Sequence, residues 1–194
     1  MNKEIMMMFA IIAGLFFSSC NNNSSENKKT EVQENETIDT NYTLQSVDDD
    51  LANNLKEYIT TKFLTDADLR AISEEDRKFQ FYKVDLNNDG NEEVFVNFGT
   101  SYFCGSGGCT VLLLSDKLEL ITKFSPTQAL FIGTEIESGW ITLHTRADGD
   151  WKKLIYEGDS YPSNPTLVKI AGDLPKNAKE IFDHDTSVQK TYNF

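Results

Sequence analysis

Asp85-Leu86-Asn87-Asn88-Asp89-Gly90-Asn91-Glu92-Glu93 is the segment whose spacing best suits chemistry. Counting Asp85 as position 1, oxygen-bearing side chains stand at positions 1, 3, 5 and 9, and Gly90 at position 6 permits a sharp turn. A hard cation such as Ca²⁺ takes six to eight oxygens at roughly 2.3–2.6 Å. Asp85, Asn87 and Asp89 are spaced to wrap one ion, the carbonyl of Asn91 adds an oxygen, and Glu93 reaches back from the element that follows. The plainer reading is a solvated Asn/Asp/Gly turn between two strands. A second constellation is Cys104-Gly105-Ser106-Gly107-Gly108-Cys109, two thiols joined by a glycine-rich loop.

The first segment matches the opening half of an EF-hand loop, but position 12 is Val96 where a bidentate Glu is needed. Residues 93–98 read as strand, not as the helix that follows an EF-hand loop. The pattern more closely resembles the strand-loop-strand calcium loops of FG-GAP and integrin-type propeller repeats. That resemblance spans about a dozen residues and occurs once, so it implies an ion site and no propeller.

The N-terminus carries an address. Lys3 precedes an uncharged, mostly apolar run over 5–17, followed by Ser18, Ser19 and Cys20. At about 1.5 Å per residue such a run is short for a hydrocarbon core of about 30 Å, and suits a signal peptide. Phe17-Ser18-Ser19-Cys20 resembles the lipobox of bacterial lipoproteins, with Phe17 in place of the usual Leu. The Asn-rich stretch after it is similar to lipoproteins of Bacteroidota. The resemblance implies cleavage after residue 19, lipid on Cys20, and a membrane partner reached through two or three acyl chains, enough for stable anchoring. Asn21 after the cysteine favours the outer membrane, and the first acid at Glu26 favours its periplasmic face.

With Cys20 lipidated, Cys104 and Cys109 are the two thiols left, and in an oxidising envelope they are expected to pair as a structural disulfide. A thioredoxin-like redox pair has two intervening residues where this one has four. Zinc would need further ligands, and His144 and His184 lie far along the chain.

Residues 20–46 are Asn, Ser, Thr, Glu and Lys with scattered apolar positions, the composition of a flexible tether. Residues 47–194 are expected to form one globular domain. Leu51, Leu55, Ile59 and Phe63 repeat every four residues and predict an N-terminal helix, with Asp48–Asp50 at its favourable end. Residues 66–76 read as a second helical turn or a loop. Strands are expected at 78–85, 93–98, 110–115, 118–124, 140–146 and 151–156, the last two joined by a hairpin turn at Asp148-Gly149. Pro175 opens a short predicted C-terminal helix over 175–184. The fold class is thus α+β, mainly β: an antiparallel meander of about six strands with a helix at each end.

The 194-residue chain carries a net charge of −13 and has no basic tract, which excludes a phosphate-reading nucleic-acid binder. A nucleophile elbow would need Gly-x-Ser-x-Gly, and Cys104 stands two before Ser106. The pairs Glu74-Glu75 and Glu92-Glu93 are adjacent in sequence without implying an acid–base pair. The expectation is a non-enzymatic, lipid-anchored envelope protein with a calcium-stabilised loop. The alternatives are a binding or inhibitor module for a basic, lysozyme-like protein or a glycan, using Tyr102, Trp140, Trp151, Tyr156 or Tyr161, and a hydrolase with an unrecognised site.

Overall fold

Asp48 begins the helical part by capping: its Oδ1 accepts the Leu51 N–H at 2.9 Å, and Asp49 and Asp50 fill the first turn of helix α1, Asp49–Tyr58. Such a cap contributes about 1 kcal/mol. Thr60 and Thr61 donate their hydroxyls to the carbonyls of Lys56 and Glu57, four residues back. Side-chain bonding of this kind competes with the helical ladder, and here α1 widens into a π-helical turn, Ile59–Phe63. A capping box between Thr65 and Asp68 starts the short helix α2, Asp66–Ala71.

The computed structural model describes residues 42–182 and 188–194. The expected signal peptide at 1–19, Cys20, the tether as far as residue 41, and His184 lie outside the described residues. The last residues assigned to the tether, 42–46, instead pack with the domain: Tyr42 bridges to Val188, and Ser46 is buried.

Among the described residues ten strands follow: β1 (Lys78–Val84), β2 (Glu93–Asn97), β3 (Cys104–Gly105), β4 (Gly108–Leu114), β5 (Leu120–Thr127), β6 (Leu130–Glu137), β7 (Trp140–Ala147), β8 (Asp150–Leu154), β9 (Lys179–Ile181) and β10 (Tyr192–Asn193). They form two antiparallel sheets. The first runs β10-β1-β2-β4-β3 with β5 also on β4; the second runs β8-β7-β6-β9.

The apolar run of β4 explains the layering. Leu112 and Leu114 face one core with Leu55, Ile59, Phe79, Phe81, Val94 and Val96, beneath α1. Val111 and Leu113 face another with Phe95, Phe124, Leu130, Leu143, Leu154 and Tyr161, towards the second sheet. A strand covered on both faces has no need to alternate with polar residues. Each large side chain fully buried in these cores contributes about 1.5–3 kcal/mol.

The structure corrects the expected single meander to two sheets. The strands not anticipated are β3, β6, β9 and β10; the longest of them, β6, shifts register against β7 between Ile132 and Ile136, so that no regular alternation shows in its sequence. The predicted C-terminal helix is also corrected. Pro175 opens only a turn, accepting the Ala178 N–H at 2.9 Å, and Lys179–Ile181 then pairs with β6. Pairing places Ile181 opposite Leu130 in the second core, a burial that a surface helix would not provide. The hairpin turn at Asp148-Gly149 is present, both residues with positive φ, 55° and 86°, as a type I′ turn requires.

Candidate functional site

The β1–β2 connection winds through three successive side-chain turns. Asp85 Oδ1 accepts from Asn87 N at 3.3 Å, Asn87 Oδ1 from Asp89 N at 2.9 Å, and Asp89 Oδ1 from Asn91 N at 2.8 Å. The other oxygen of Asp85 accepts from Gly90 N at 3.0 Å, drawing the loop closed. Asn88 and Gly90 take positive φ, 58° and 89°, tolerable for these two residue types. The Asn87 and Asn91 amides also donate to Asp89 at 3.1 and 3.0 Å. These bonds hold the Asp89 carboxyl below the usual carboxylate range, first through the Asn91 N–H.

Glu93 differs from the others. It opens β2, is only 4% exposed, and its Oε2 accepts the Leu86 N–H at 2.8 Å from beneath the loop. Burial pushes its carboxyl above the usual range; bonds to backbone N–H groups oppose this, and the charges of Asp89 and Asp85 add to it. Of the five residues singled out by spacing, Asp85, Asn87, Asp89 and Asn91 are linked by hydrogen bonds around the loop, and Glu93 lies beneath it. Among the described residues, no three His, Cys, Asp or Glu side chains converge as a metal-holding group. The oxygens gathered here are the Asp85 and Asp89 carboxylates, the Asn87 amide oxygen and, beneath the loop, the Glu93 carboxylate, a chemistry suited to a hard cation and not to zinc.

An aromatic flank joins the loop to the second sheet. Ile141 donates its N–H to the Leu86 carbonyl at 2.7 Å, and Tyr161 donates its hydroxyl to the Ile141 carbonyl at 2.7 Å. Trp140 stacks on Tyr156 with centroids 4.1 Å apart, and Tyr161 meets both edge-on. Burial raises the Tyr161 phenol well above its ordinary value, and the nearby Glu93 charge adds to the rise. The sequence marks these aromatics only as large; the backbone link from Leu86 to Ile141 leaves no signature in residue type.

Cys104 and Cys109 are bonded, closing the β3–β4 hairpin across directly paired positions. Gly108 is required there: φ is +123°, and a Cβ would lie 2.2 Å from the Thr127 carbonyl oxygen. Tyr102, beside the hairpin, donates to Asp68 at 2.8 Å.

The remaining candidates do not assemble. Glu74 and Glu75 are exposed in a 3-10 turn, and Glu92 is exposed while its neighbour Glu93 is buried. His144 is buried in β7 of the second sheet, whereas the disulfide hairpin belongs to the first. A cavity of about 660 Å³ lies beside β8, lined by Lys153, Ile155, Pro162, Leu167, Val168 and Ile170 among others. Among the described residues, no helix is long and apolar enough to cross a membrane.

Compared with protein-family models, with curated proteins and with solved structures, the chain matches none.

Proposed function

We propose that this chain is a lipid-anchored, non-enzymatic cell-envelope protein whose Asp85–Glu93 loop binds Ca²⁺ and so stiffens the junction between the two sheets. The observation that carries the ion is the run of three side-chain turns through Asp85, Asn87 and Asp89, closed by the Gly90 N–H over the buried Glu93 carboxyl. Asp85, Asn87, Asp89, the Asn91 carbonyl and Glu93 would be the ligands. An ion there would balance a carboxylate that is otherwise desolvated beside two further acids. Its role would be structural, because the loop backbone is bonded directly to β7 through Leu86 and Ile141.

Anchoring rests on the lipobox-like Phe17-Ser18-Ser19-Cys20, with lipid on Cys20 and the outer membrane, periplasmic face, as destination. Cys20→Ser should abolish fatty-acid labelling of the chain and release it into the soluble envelope fraction.

The calcium reading is tested by thermal melts in Ca²⁺ and in chelator. An ion bound only by the folded state raises the melting temperature by mass action. The expected result is a saturable rise that Asp89→Ala removes; no rise at millimolar Ca²⁺ would reduce the loop to a turn. A second reading, capture of a basic protein, is supported by the net charge of −13. It predicts lysozyme binding that weakens with ionic strength.

A further inference from the structure

His144 sits in the middle of β7 and is only 3% exposed. Neither ring nitrogen has a good partner: Nδ1 is buried with none, and Nε2 lies 3.5 Å from the Thr142 hydroxyl. A buried polar atom left unpaired calls for an explanation, because its desolvation is uncompensated. The ring is admitted only because residue 133 is glycine. A Cβ there would come within 3.0 Å of Nε2 and 2.6 Å of the Thr142 carbonyl and hydroxyl oxygens.

Charged groups surround the ring from both neighbouring strands. Lys153 of β8 is the cross-strand partner of His144 and is bonded to both Glu135 and Glu137 of β6. The irregular β6–β7 register between Ile132 and Ile136 falls where these two acids approach one lysine. Glu180 of β9 lies in the same row one strand further out, beyond Phe131, while Lys169 and Glu157 line the cavity that Lys153 also lines. Arg146, two residues along β7, is held over the Trp151 ring and bonded to the Gly149 carbonyl. Burial, and then the Lys153 charge, hold the ring neutral below its ordinary titration range, and Glu135 opposes them. The neutral ring therefore keeps an unused buried nitrogen, directly across the strand pair from a lysine that two carboxylates share.

We propose that His144 is a proton-operated switch: when its imidazole is protonated, Glu135 passes from Lys153 to the ring, and Lys153 is left on Glu137 alone at the wall of the 660 Å³ cavity. The proton comes from solvent and adds to the ring nitrogen that carries the lone pair; no covalent bond breaks. Both nitrogens then donate: the Thr142 hydroxyl already lies 3.5 Å from Nε2, and Glu135, released from Lys153, turns to accept from the ring. Two acids and a lysine give the neutral cluster a charge of −1, which the added proton cancels. Acidification thus changes the charge presented to the cavity without unfolding the sheet.

The test is an NMR titration of the full chain carrying His184→Gln, which leaves one imidazole of the two. The ring should titrate below the ordinary histidine value of about 6.5. Glu135→Gln should lower its midpoint further, Lys153→Gln should raise it, and Glu137→Gln should move it least. Glu135 has a 56% exposed side chain, so its variant retains the core, and a thermal melt checks that each variant is folded. In ¹³C-labelled protein the Glu135 carboxyl carbon should shift through the imidazole midpoint, which a merely structural histidine would not cause. A ring that stays neutral until the domain unfolds, a midpoint indifferent to Glu135→Gln, or a Glu135 carbon that does not follow the ring would each overturn the proposal.

Discussion

Replacing Glu93 separates the two roles assigned to it, as acceptor for the loop and as ion ligand. Glu93→Ala removes the acceptor of the Leu86 N–H, a bond of 2.8 Å in a buried setting. A buried donor left unpaired costs about 1–3 kcal/mol. For a domain of this size, 1 kcal/mol moves the melting temperature by roughly 2–4 °C, so the loss should be roughly 2–12 °C in chelator. Glu93→Gln keeps the shape and the acceptor but removes a carboxylate that burial, Asp89 and Asp85 all penalise. The folded-state carboxyl titrates above its unfolded value, so the folded chain holds the proton more tightly. The resulting loss of stability sets in as pH rises through the folded value and is complete above it. Glu93→Gln should therefore melt at or above the wild-type temperature in chelator at neutral pH, and below it in saturating Ca²⁺. Melts of the three proteins, in chelator and in Ca²⁺, read this crossing of order. A Glu93→Ala protein that melts with the wild type, or a Glu93→Gln protein that gains as much from Ca²⁺ as the wild type does, would remove one or the other role from Glu93.

Calcium affinity should weaken as pH falls through the raised Glu93 titration, because proton and ion compete for one carboxylate; calorimetry across acid pH checks the direction. Reducing the Cys104–Cys109 bond opens a ring with a sequence separation of 5 and should cost about 2 kcal/mol in urea denaturation by the loop-entropy relation. Gly108→Ala combines a disfavoured φ of +123° with a Cβ 2.2 Å from the Thr127 carbonyl oxygen, so its denaturation midpoint should fall well below that of Gly105→Ala, where the space is open. Phe95→Ala empties a fully buried site between the sheets and should cost about 3–5 kcal/mol by the same assay.

What could be read from the sequence was whatever a local pattern fixes. The four-residue stripe of Leu51, Leu55, Ile59 and Phe63 marks α1, and its Leu55 and Ile59 are fully buried. The unbroken apolar run of β4 announces a strand hidden on both faces, and Asp148-Gly149 announces its hairpin. The β6 strand escaped because its register shift breaks alternation just where Gly133 makes room for His144. The 175–184 segment misled because Pro175 is a plausible first helical residue, while the contact that decides the matter, Ile181 opposite Leu130, lies about fifty residues away in sequence. At the candidate site, spacing brought out Asp85, Asn87 and Asp89. It could not reveal that Glu93 is buried or that Leu86 is bonded to Ile141, since both depend on the second sheet.

Equilibrium dialysis against radioactive calcium, with magnesium as competitor, asks whether the Asp85–Glu93 loop holds an ion. One Ca²⁺ should bind per chain, persist in excess magnesium and be lost in Asp89→Ala. Absence of bound calcium at millimolar concentration, or undiminished binding by Asp89→Ala, would show that the loop is not a calcium site.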